Sequence, residues 1–124
     1  MKKAIIYGLF LSLFAGCYYH NEEELYPGGG QVCDTTAVTY SGSVLPVLQA
    51  NCMICHSTSA NAANGGSINL EDFSLLKDLV DGGNLYGAIT HSPLHVPMPK
   101  DRAKLDTCSI SKIKIWIDGG AINN

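Results

Sequence analysis

Residues 32–124 of this 124-residue chain are predicted to form an all-α domain, on three observations. Apolar residues recur at three- and four-residue steps around Val44–Leu48, Leu70–Val80 and Ile110–Ile117, the spacing that gathers side chains on one face of a helix. Glycine pairs, Gly82-Gly83 and Gly119-Gly120, stand where the second and third of these runs stop. The long stretch between them ends in Pro93, Pro97 and Pro99, three prolines in seven residues, too many for a helix or a central strand.

The elements follow in order. Met1-Lys2-Lys3 and the apolar stretch Ala4–Ala15 read as the charged and hydrophobic regions of a secretory signal. At about a dozen residues the stretch is too short for a stable transmembrane helix, which needs about 20. Phe14-Ala15-Gly16-Cys17 resembles a bacterial lipoprotein processing site, so residues 1–16 are predicted to be removed and Cys17 to carry the lipid anchor; the alternative is ordinary secretion with cleavage nearby. Residues 17–31 hold Glu22-Glu23-Glu24 and Gly28-Gly29-Gly30 without apolar periodicity, and are predicted to be a flexible tether. The acidic triplet resembles a signal for the outer face of the outer membrane, and a solvated linker explains it equally well.

Within the domain, a first helix is expected to start near Ser43, because Pro46 is tolerated only in the first turn. It leads into Cys52. Residues 57–67, rich in Ser, Asn, Ala and Gly, are expected to be a surface loop. A helix over Leu70–Asp81, a short one over Asn84–Ile89, a stiff extended loop over Thr90–Pro99 and a closing helix from Asp106 or Thr107 to Asp118 complete the series.

Charge removes one class of function. Loss of residues 1–16 takes Lys2 and Lys3 and no acid, leaving 6 basic against 11 acidic residues, a net charge of about −5. A nucleic-acid binder needs a basic footprint to neutralise phosphates, so nucleic acid is excluded as a partner. Five of the six remaining cations, Lys100, Arg102, Lys104, Lys112 and Lys114, follow Met98. That asymmetry would steer an acidic partner, although a solvated face accounts for it as well.

The chemistry concentrates in Cys52-Met53-Ile54-Cys55-His56, a C-x-x-C-H run. Two thiols at this spacing reach the two vinyl groups of a haem, and the adjacent histidine then lies under the iron. Three other uses of these residues are chemically open. A thioredoxin-like redox pair expects a βαβ setting, which the helical pattern does not supply. A zinc site would need Cys52, Cys55 and His56 plus Cys33 or Cys108. A disulfide between Cys52 and Cys55 would close a tight ring and leave His56 without a role.

An electron carrier of this kind needs a sixth iron ligand, and Met98, between Pro97 and Pro99 in the stiff loop, is the first choice. His95 is the second and His91 the third. Either histidine would lower the reduction potential relative to a thioether sulfur. An open sixth position would instead suit a peroxidase-like enzyme or a gas sensor.

Val44–His56, Pro97-Met98-Pro99 and Ile113-x-x-Trp116-Ile117-x-x-Gly120-Ala121 together resemble the class I c-type cytochromes, and more narrowly small bacterial lipoprotein cytochromes with one haem. The resemblance covers residues 32–124. It implies a cytochrome c-like fold in which N- and C-terminal helices cross around a covalent haem c, with Cys52 and Cys55 attaching it, His56 as proximal ligand and Met98 as distal ligand. It further implies electron transfer without bond chemistry, redox proteins as partners, a monomer, and an outer-membrane surface facing the periplasm or the cell exterior. Cys33 and Cys108 are outside the general family pattern. As the two cysteines left in an exported chain they are expected to form a disulfide, with free or intermolecular thiols as the alternative.

Overall fold

Thr39 opens the first helical segment. Its backbone is extended, with φ −120° and ψ 161°, and its side-chain oxygen accepts from the Gly42 amide at 3.1 Å. In the computed structural model, which describes residues 32–124, coiling starts at Tyr40 and not at Ser43. The segment Tyr40–Val44 is a wide π-helical turn: the Val44 amide reaches the Thr39 carbonyl at 3.2 Å and the Leu45 amide reaches that of Tyr40, each five residues back. Pro46 gives the physical reason. It has no N–H for the Gly42 carbonyl and its ring crowds that oxygen, and a wider turn relieves both problems. Helix α1, Leu45–Asn51, follows with Pro46 in its first turn.

Helix α2, Met53–His56, continues almost directly from α1 through Cys52. The expected surface loop over 57–67 contains a further helical turn, α3, Asn61–Asn64. The Asn61 side chain stabilises it by donating to the Ser57 and Thr58 carbonyls at 2.8 and 2.9 Å. Helix α4, Phe73–Asp81, begins three positions later than apolar spacing suggested. Asp72 sets that start by accepting from the amides of Ser74 and Leu75, which satisfies donors the first turn leaves free. Leu70 stays buried, but as an anchor ahead of the helix. Gly82 and left-handed Gly83, φ 73°, end α4 and lead into α5, Asn84–Ile89. After the proline-rich loop comes α6, Thr107–Asp118, capped by Asp106 through the Ser109 amide at 2.9 Å.

All regular elements among the described residues are therefore helical, with no strand. Val44, Leu48, Leu76, Ile89 and Ile113 are fully buried, so the first segment, α1, α4, α5 and α6 each contribute to one core. Tyr40, Phe73 and Trp116 meet there, with ring centroids 4.8 Å apart for Tyr40 and Phe73 and 5.5 Å for Tyr40 and Trp116. The first helical segment thus packs on the last one. Asn124 reinforces that contact: its side-chain and backbone oxygens accept from the Tyr40 and Ser41 amides at 2.8 and 2.9 Å. Both are donors at the start of a helical turn and have no partner within it.

Cys33 and Cys108 form a disulfide, joining residues 75 apart in sequence with Cα atoms 5.5 Å apart. The bridge ties the chain ahead of the first turn to the first turn of α6. Cys33–Asn124 forms a compact unit. The signal over 1–16, the lipid site Cys17 and the tether to residue 31 lie outside the described residues. No helix among the described residues is long and apolar enough to cross a membrane.

Candidate functional site

Cys52, Cys55 and His56 lie on a short stretch of helix at the junction of α1 and α2. The Cys52 amide closes α1 on the Leu48 carbonyl at 2.8 Å, while its own carbonyl accepts from Cys55 and His56 at 3.1 and 3.0 Å. One backbone oxygen therefore fixes both later members of the motif. The two cysteines are not bonded to one another. Burial pushes the Cys52 thiol up to about 11, so at neutral pH it is a protonated thiol. A redox-active dithiol requires the opposite shift.

His56 is held from three directions. Its amide is part of the helical turn, its carbonyl accepts from the Leu70 amide at 2.8 Å, and its Nδ1 lies 3.0 Å from the Ile68 carbonyl. A carbonyl only accepts, so Nδ1 carries the proton and Nε2 is left with a free lone pair. This is the outer-shell hydrogen bond that orients a metal-ligating imidazole. Gly65 backs the same ring. A Cβ added there would sit 2.9 Å from His56 Nδ1 and would collide with the Cys55 carbonyl. The backbone of 65–68 can close on the histidine because residue 65 has no side chain.

The loop that carries this carbonyl is itself braced. Glu71 accepts from the Thr58 amide at 2.7 Å, and Asn69 donates to the Thr58 hydroxyl at 3.2 Å. Hydrogen bonds from the Thr58 amide and then its hydroxyl hold the Glu71 carboxyl below the usual range. The composition of 57–67 indicates a surface loop but does not reveal this scaffold. Its signal was the density of Asn, Ser and Thr, residues that bond to nearby backbone.

Met98 lies in the proline-rich loop, after the end of α5. Its amide donates to the Ala88 carbonyl at 3.0 Å, and its own carbonyl lies 3.0 Å from His91 Nε2. His95 packs its ring over α5, where a Cβ at Gly87 would overlap it, and its Nδ1 is buried without a hydrogen-bond partner. The three residues named for the distal position thus sit differently: Met98 pinned through its backbone, His91 bonded to Met98, and His95 laid against the helix.

The zinc arrangement loses its fourth ligand, since Cys33 and Cys108 are bonded to each other and neither is a thiolate. Among the described residues, no three His, Cys, Asp or Glu side chains converge as a metal-ion site would need. A haem makes no such demand. It takes only His56 from that set, the thiols being bonded to the porphyrin and a methionine lying outside the set. Two unbonded cysteines, a histidine with a free Nε2 and a glycine pressed behind it fit a covalent haem. No known protein family, curated protein or solved structure matches the chain.

Proposed function

We propose that residues 32–124 form a cytochrome c-like domain with one covalent haem c, and that the protein is an exported, lipid-anchored electron carrier. The observation that carries this reading is the His56 Nδ1 contact with the Ile68 carbonyl, because it turns the histidine of a C-x-x-C-H motif into an oriented ligand. Exposed apolar side chains support it. Among the described residues, exposed Ile54, Leu94 and Val96 lie in the segments that carry Cys52–His56 and the proposed distal ligands, and exposed Ile68 lies in the loop that meets His56. Apolar surface of that kind is costly in water and suits a group that covers it.

In this reading Cys52 and Cys55 would attach the porphyrin through thioethers, and His56 Nε2 and the Met98 sulfur would hold its iron. The bound haem supplies a reversible one-electron iron couple. The protein residues hold and shield it: the Ile68 carbonyl keeps His56 oriented, and the pinned Met98 backbone limits how far the sixth ligand can move between oxidation states. Partners are other redox proteins. Cys17 ties the domain to a membrane surface facing the periplasm or the cell exterior.

The test is the optical spectrum of the full chain made with a cytochrome c maturation system, for wild type and Met98→Ala. A haem that survives denaturation, a low-spin wild type and a weak red sulfur-to-iron band lost in the variant are expected. A high-spin wild type would favour an enzyme or sensor, an unchanged band would move the sixth ligand away from Met98, and no covalent haem would end the proposal.

A further inference from the structure

We infer that His91 is a positioning residue for the distal ligand: its Nε2–H holds the Met98 carbonyl and fixes where the thioether can reach. The inference rests on the haem reading above and adds a role that the C-x-x-C-H motif does not contain.

Three hydrogen bonds form the arrangement. The Ala88 carbonyl, in the last turn of α5 where acceptors lack helical partners, receives both the His91 amide at 3.2 Å and the Met98 amide at 3.0 Å. His91 Nε2 then returns to the Met98 carbonyl at 3.0 Å across seven residues. Both polar groups on the Met98 backbone are therefore taken, one by the helix end and one by the imidazole. Between these anchors the chain carries Pro93 and Pro97, whose rings fix φ and reduce the freedom of the loop. What is left to aim the sulfur is the Met98 side chain.

The backbone of His91 takes an uncommon conformation. Its φ is 57°, the left-handed region, where histidine is among the few non-glycine residues found with any frequency. The turn folds the loop back so that the ring faces Met98 from its own side. Because Met98 offers a carbonyl, Nε2 must be the protonated nitrogen, which removes Nε2 as an iron ligand. Strained backbone that is held by its surroundings is common beside functional groups.

The experiment uses the haem-loaded full chain in the ferric state and titrates imidazole against it, following loss of the sulfur-to-iron band. His91→Leu removes the donor while keeping an unbranched Cβ, and His91→Gln keeps an N–H at similar reach. The leucine variant is expected to need about fivefold less imidazole for half displacement, what one ordinary hydrogen bond is worth in an equilibrium constant, and the glutamine variant is expected to behave like wild type. Wild-type behaviour of His91→Leu overturns the inference, as does equal weakening in both variants, which would make ring size the cause. If His91→Leu does not fold, nitrogen NMR of wild type decides: Nε2–H on His91 is expected, and the Nδ1–H tautomer overturns it. Failure of the underlying reading looks different, namely no covalent haem, or a band that survives Met98→Ala.

Discussion

The two ends of the proposed iron axis are held in different ways. His56 is held by helix and by backbone groups close in sequence: the Cys52 carbonyl four residues back, the Ile68 carbonyl and the Leu70 amide a short loop ahead, and Gly65 pressed against its ring. Met98 has no helix of its own. It hangs between the end of α5 and the ring of His91, in a loop stiffened by proline. A ligand built into a packed turn leaves only by local unfolding, whereas one held by two hydrogen bonds can be displaced while the rest of the fold stays intact. In the proposed cytochrome, His56 would therefore be the permanent ligand and Met98 the adjustable one.

The largest test of that contrast is the disulfide, which secures the first turn of α6 just beyond the Met98 loop. Replacing Cys33 or Cys108 by Ser is expected to cost about 4 kcal/mol, from the entropy of the long loop the bridge closes. Denaturant unfolding measures the cost. Hydrogen exchange should rise more over 90–106 than over 52–70, and equal loss in both would break the contrast.

Next comes Gly65→Ala, expected to cost about 2 kcal/mol by overpacking against the Cys55 carbonyl, a backbone atom with little room to move. Its signature in the haem-loaded protein would be a disturbed His56 environment by NMR, beyond the shift in denaturation midpoint. Asp106→Ala removes the cap of α6 and is expected to cost about 1 kcal/mol. The Asp106 carboxyl is held below its ordinary value of 3.8 by the Ser109 hydroxyl and then the Ser109 amide. Folding thus favours its charged form. The contribution is complete above that pH and is lost as pH falls through the lowered value, so wild type and variant should converge in strong acid.

The smallest effect is expected from Gly87→Ala, the distal counterpart of Gly65. The added Cβ meets the His95 ring, a side chain on a loop that can swing away, and alanine is the better helix former. Stability should stay within about 1 kcal/mol of wild type while the His95 resonances shift. A cost as large as that of Gly65→Ala would mean that the distal side is as rigid as the proximal one.

Much of the fold was legible in the sequence. The short helix Asn84–Ile89 and the last helix Thr107–Asp118 have the predicted limits, because glycine pairs and a capping aspartate act on their immediate neighbours. The misjudged starts, Tyr40 and Phe73, share a cause: apolar spacing shows which face is buried but not where the first turn closes. Pro46 acting on the turn before it, and Asp72 accepting two amides, decided those limits. Trp116 packs on Tyr40 and Phe73 and donates to the Ile122 carbonyl at 2.8 Å, partners that helical spacing alone does not name.

The candidate site divides along the same line. Sequence alone determined which reactive groups the chain owns and that Cys52, Cys55 and His56 follow directly on the first helix, since covalent spacing needs no distant partner. It also left Cys33 and Cys108 as the remaining pair. Only the tertiary structure decided that those two lie close enough to bond, that the Ile68 carbonyl fixes the His56 tautomer, and that His91 Nε2 meets the Met98 carbonyl. A ring nitrogen takes its protonation from whatever oxygen the fold brings to 3 Å, and that oxygen belongs to backbone whose position depends on every element packed around it.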